Sequence, residues 1–171
     1  MITRFIRALS FAIIIFAAGA SLAQGPSPAA KVEDPFLDNL VGHWQITRKI
    51  RDRTETNSLD AEWVLQHRFV RLHMKDVADP PKYEAIVMVG YDPGKQRYVA
   101  HWTDNFGAQY SGVGYGKRAG NSIEFDFAGD DGHFYNTFTW NPDSGAWRML
   151  MESGARDGTR KFFAEDSAER K

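Results

Sequence analysis

The chain has 171 residues, no cysteine, and 21 basic against 22 acidic side chains, for a formal net charge of −1. That balance gives no electrostatic reason to expect nucleic acid or an anionic membrane as partner. The missing cysteine excludes a disulfide framework, a thiol nucleophile and the cysteine-linked acyl anchor of a lipoprotein.

The first elements in chain order are targeting features rather than fold. Arg4 and Arg7 precede a run of apolar and small residues from 8 to 20, and Ser21-Leu22-Ala23 places small residues three and one before Gln24. A basic start, a short apolar stretch and a small-x-small site describe a secretory signal peptide, residues 1–23. Thirteen apolar positions fall short of the roughly 20 needed to span a bilayer as a helix. The expectation is therefore a periplasmic or secreted protein with no stable membrane anchor after cleavage. What remains, about 150 residues, is one domain of ordinary size.

Residues 24–35 hold three of the seven prolines and little that is apolar, as expected of a flexible leader. Asp34-Pro35 reads as an N-cap followed by proline at the first helical position. Phe36, Leu37 and Leu40 share a face of the short helical turn that follows.

From Gly42 the pattern changes to strands punctuated by turn-formers, placed at 42–51, 58–66, 68–76, 82–92, 95–105, 108–117, 121–128, 132–141, 145–153 and 158–164. Pro80-Pro81, Asp92-Pro93-Gly94, Ala119-Gly120-Asn121, Gly129-Asp130-Asp131-Gly132, Asn141-Pro142-Asp143-Ser144-Gly145 and Arg156-Asp157-Gly158 mark the breaks. Short connections make consecutive strands antiparallel neighbours. Eight to ten such strands curl and close, which removes their exposed edges. The predicted fold is all-β, an antiparallel meander closed into a barrel over residues 36–164, with 165–171 as a frayed, charged tail.

Leu40-Val41-Gly42-His43-Trp44 resembles the G-x-W signature of lipocalins and other calycins, whose Trp packs at the closed end of the barrel. Glu62-Trp63-Val64-Leu65, Arg68-Phe69, Gly90-Tyr91-Asp92 and the stretch from Tyr98 to Gly107 (YVAHWTDNFG) are similar in order and spacing to the bacterial domain-of-unknown-function 1579 family, over roughly residues 36–155. That resemblance implies a lipocalin-like barrel, often exported, with no established activity. The neighbouring nitrobindins carry haem on a histidine near the C-terminus. This chain has no histidine after His133, so that ligand has no counterpart and no cofactor is expected.

Candidate site residues come with competing structural roles. His101-Trp102-Thr103-Asp104-Asn105 is the most informative stretch, because alternation puts Trp102 with Asp104 on one face and His101 with Thr103 on the other. If the Trp102 face is inward, Asp104 would orient a ligand near the mouth and His101 would face solvent. The other parity reverses the roles. Val87, Val89 and Tyr91 favour one face of the preceding strand, Ile86 and Met88 the other, so parity stays open. The structural alternative makes Trp102 core and Asp104 a turn cap. Trp44, Trp63, Trp140 and Trp147 are core aromatics in a filled barrel, or pocket walls in a hollow one. An inward Arg48 or Arg71 would suggest an anionic ligand head, an outward one a solvated face.

Other chemistry finds little footing. His67 and His73 lie roughly 20 Å apart along an extended strand, and no H-E-x-x-H or tight histidine pair exists, so no metal is expected. G-x-S-x-G is absent, and Ser111 and Ser153 have no evident histidine partner. Gly112-Val113-Gly114-Tyr115-Gly116 strips one strand face bare, so either a ring packs there or the strand bends. Three readings follow. The first is a barrel binding a small apolar or amphipathic molecule, with Trp44, Trp63, His101, Trp102, Asp104 and Asn105 as candidate contacts. The second is a filled structural or protein-interaction module. The third is an enzyme using His101 or Asp104 as acid/base.

Overall fold

The computed structural model describes residues 31–130 and 132–171. The expected signal peptide, most of the leader and Asp131 lie outside the described residues. The chain forms a short helix, α1 (Pro35–Asp38), and ten strands: β1 (Gly42–Ile50), β2 (Arg53–Val64), β3 (Phe69–Asp76), β4 (Glu84–Asp92), β5 (Arg97–Asp104), β6 (Gly112–Ala119), β7 (Ser122–Gly129), β8 (Gly132–Asn141), β9 (Ala146–Gly154) and β10 (Arg160–Arg170). Each strand pairs antiparallel with its neighbour in sequence, and β10 returns to β1, so the meander closes into a barrel.

Closure depends on residues that the sequence pattern assigns to a frayed tail. Trp44 pairs with Arg170, Ile46 with Ala168 and Arg48 with Asp166. Residues 165–170 are thus part of the sheet, a correction to the expected domain end at 164. Their charges hide the alternation: Ala164, Asp166 and Ala168 point inward and are buried, while Ser167 and Glu169 face outward. A bulge between Phe162 and Ala164 shifts the β9–β10 register at the start of this strand.

Two turns also differ from expectation. β2 begins at Arg53 rather than 58, because a two-residue turn at Arg51-Asp52 links it to β1, with Arg51 at φ 54°. The β2–β3 turn holds Leu65, Gln66 and His67 all at positive φ. Neither turn carries the glycine that usually signals such backbone.

α1 forms where the cap chemistry places it. Asp34 Oδ1 accepts from the amides of Phe36 and Leu37, and Pro35 opens the turn. Phe36, Leu37 and Leu40 are buried and plug one end of the barrel. Three indoles fasten the plug. Trp44 Nε1 donates to the Leu40 carbonyl (2.8 Å), Trp63 Nε1 to Asp38 Oδ1 (2.8 Å) and Trp147 Nε1 to the Asn39 carbonyl (3.0 Å). The Phe36 ring stands edge-on to Trp147 at 5.1 Å. Buried indoles need partners for their N–H groups, and here those partners are the plug itself.

Candidate functional site

The barrel is filled at the α1 end and hollow at the other. A cavity of about 990 Å³ opens among the β1–β2, β3–β4, β5–β6 and β7–β8 connections. Its walls are largely rings, Tyr83, Trp102, Phe106, Tyr110, Phe127, Phe134 and Phe163, and Arg48 lies toward its floor. A wholly filled barrel, one of the sequence expectations, is therefore not what forms.

The parity left open by the sequence is resolved. Tyr98 and Ala100 are buried inside the barrel, so Trp102 and Asp104 continue the inner face of β5, and both line the cavity. Trp102 Nε1 donates to Asp104 Oδ2 (3.3 Å), while Asp104 Oδ1 accepts from the Phe106 amide (3.0 Å). Asp104 thus serves as cavity wall and turn cap together. Trp102 stands edge-on to Phe127 at 6.5 Å. The Phe127 ring lies over the bare face that Gly112 and Gly114 leave on β6; a Cβ on Gly114 would meet it at 2.6 Å.

Four expected contacts are placed elsewhere. His101 is on the outer surface, edge-on to Phe69 at 6.2 Å, and cannot serve as acid/base toward a molecule in the cavity. Trp44 and Trp63 belong to the plug at the opposite end. Asn105 braces the rim instead of lining it: its Oδ1 accepts from the Glu84 amide (3.1 Å) and its Nδ2 donates to the Lys82 carbonyl (3.2 Å). Among the other histidines, His43, His73 and His133 each pair with one carboxylate, Asp60, Glu84 and Asp126, at positions that alternate away from the core.

Sequence reasoning left the direction of Arg48 open and missed its partner Asp166. Arg48 follows Trp44 and Ile46 at alternate positions and so points inward, where Asp166 meets it with a bidentate ion pair. Both side chains are buried, at 8% and 1% exposure. Burial alone would lower the Arg48 pKa, but the Asp166 hydrogen bonds and charge outweigh it and hold the guanidinium firmly protonated. The guanidinium carbon also sits 4.9 Å from the centre of the Tyr83 ring. Burial pushes the Tyr83 phenol up to about 12, against the opposing pull of Arg48, so it is a neutral hydroxyl at physiological pH. Arg71, the other inward candidate, faces out and pairs with Glu62. Asn57 and Asn136 are buried on the inward parity of β2 and β8, and neither side-chain atom of Asn57 has a protein partner. The signal for Arg48 was the W-x-I-x-R alternation; nothing local marked Asp166.

A closed antiparallel barrel plugged by a capped turn and open at one mouth defines the calycin-like class. The chain belongs to the family described as Protein of unknown function (DUF1579), which matches residues 30–131. That span includes Trp102 and Asp104 and ends in the β7–β8 turn, so Asp166 and Phe163 lie beyond it. The crystal structure of Rv2717c from M. tuberculosis is similar at a TM-score of 0.55 and 13% identity, covering 81% of this chain and 98% of that one. At that identity the likeness concerns the fold. No curated protein matches the chain.

Proposed function

We propose that this protein is an exported binding barrel that holds one small apolar or amphipathic molecule in its open end. The observation that carries this reading is the one-mouthed, ring-lined cavity of about 990 Å³. Small-molecule sites are typically concave, apolar and furnished with a few placed polar groups, and Asp104, Tyr83 and Arg48 supply these. Residues such as Phe106 and Tyr110, 59% and 64% exposed, extend the apolar surface onto the rim and give an apolar guest a path inward. The basic-then-apolar N-terminal segment supports export of the carrier. The reading assigns no catalysis to His101, which lies outside the cavity.

Native mass spectrometry of the protein purified from its own compartment tests this, against the same sample after denaturation. A mass excess that disappears on unfolding is the expected result. If the protein arrives unliganded and no amphipathic probe competes for the cavity, the binding reading fails.

A further inference from the structure

The cavity walls distribute charge unevenly, and this bears on which head group they accept. Arg48 is neutralised by the two prongs of Asp166 and already occupies one face of Tyr83. Arg53 pairs with Glu55 at 3.5 Å. Asp76 is consumed by its own loop, its oxygens accepting from the amides of Ala78, Lys82 and Tyr83 at 2.9 to 3.0 Å. Lys82 is exposed and lines the rim of the cavity. Asp104 remains. Its carboxylate accepts from two N–H groups, Trp102 Nε1 and the Phe106 amide, and has no cationic partner among the described residues. A carboxylate has about four acceptor sites, so part of its capacity stays open toward the cavity.

Rings line the same cavity as that charge. Trp102 and Phe127 form one wall, and Phe106 stands 5.8 Å from Tyr83 and 6.4 Å from Tyr110. A cavity that holds an open carboxylate together with aromatic rings attracts ammonium groups twice, through the charge of Asp104 and through any ring face the cation reaches. An anionic head inside the cavity would meet an arginine already paired and an acid facing it, with the exposed Lys82 at the rim as the cation left to it.

We propose that the mouth of the cavity selects an organic cation, an amine or quaternary ammonium carrying an apolar tail, with Asp104 and the rings of Trp102, Phe106 and Tyr110 holding its head. This rests on the binding-barrel reading and specifies its ligand class.

Three probes with the same tail separate the possibilities: decyltrimethylammonium, 1-decanol and decanoate, each titrated calorimetrically into the purified protein. The expected order is cation, then alcohol, then carboxylate, with at least about a tenfold gap between the first two. Asp104→Asn keeps the cap oxygen and should collapse that gap by weakening the cation far more than the alcohol. Tyr110→Leu, at an exposed ring, should weaken the cation more than the alcohol. A cation that binds no tighter than decanol, or a preference that survives Asp104→Asn, overturns the ammonium assignment and leaves the cavity reading standing. Failure of all three probes to bind overturns both.

Discussion

The Arg48 guanidinium and the Asp166 carboxylate, 118 residues apart in sequence, meet inside the barrel through two hydrogen bonds of 2.7 Å, Nε to Oδ1 and Nη2 to Oδ2. They sit opposite each other where the last strand closes on the first. Arg48 Nη2 also contacts the Met74 sulfur at 3.0 Å. The pair therefore joins both edges of the meander at the level where packed core gives way to cavity.

Removing one partner of such a pair leaves a buried charge uncompensated. Asp166→Ala is expected to cost about 3–5 kcal/mol, whereas replacing a buried pair by apolar side chains is often neutral. Urea unfolding of Asp166→Ala and of the double variant Arg48→Met/Asp166→Leu measures the difference. The double variant should recover most of the loss; if it is as unstable as the single, the fork contributes more than mutual neutralisation.

Asp34 performs two tasks at the closed end. One oxygen caps α1, and the other accepts from the Tyr98 hydroxyl at 2.6 Å. Burial and then the Asp34 bond raise the Tyr98 pKa above its ordinary value. Losing a cap side chain costs typically about 1 kcal/mol, and an orphaned buried hydroxyl adds about 1–3 kcal/mol. Asp34→Ala should therefore lower the denaturation midpoint more than Tyr98→Phe does. In the double variant the two losses should sum to more than the measured effect, since the shared bond is counted twice.

Most of the architecture was legible because it rests on local chemistry. Turn-formers marked six of the nine connections between strands, and the Asp34-Pro35 cap announced α1. What escaped had no local signature: Arg51 and Leu65-Gln66-His67 adopt positive φ without glycine, and the charges of β10 masked its small inward residues. The site divided the same way. Alternation correctly tied Trp102 to Asp104, but the direction of that face needed the neighbouring strands. Trp44 and Trp63 could not be told from cavity rings until α1 was seen to take their N–H groups. Asp166 matters only through Arg48, a contact between the two ends of the domain.

On the outer surface, Glu124 accepts from both terminal nitrogens of Arg160, at 2.7 and 3.0 Å. Hydrogen bonding to Arg160, opposed by burial, lowers the Glu124 pKa below its ordinary 4.5. A carboxyl depressed in the folded state stabilises it above the unfolded pKa, and that contribution is lost as pH falls through the folded value. Glu124→Gln should accordingly be less stable than the parent at neutral pH and converge with it under acid conditions below the folded pKa. The pair is partly exposed, so the neutral-pH gap is modest and shrinks in added salt. Equilibrium unfolding of both proteins across that pH range checks the sign: a gap that widens on acidification would contradict the linkage.

The cavity's shape depends on a missing side chain. Gly114 is buried on β6, and a methyl there would approach the Phe127 ring at 2.6 Å, too close for contact. The strand pairings on either side, Ala100 with Gly114 and Tyr115 with Asp126, hold the backbone in place. The ring must therefore yield, and the cavity and Trp102 lie beside it. Overpacking of this kind costs about 1–3 kcal/mol. Gly114→Ala is expected to remain folded, to shift the Trp102 fluorescence, and to weaken an amphipathic probe in the cavity. Val113→Ala, one residue away on the outer face, should leave probe affinity unchanged. Equal affinity in the parent and Gly114→Ala would mean that the probe does not reach the Trp102–Phe127 wall.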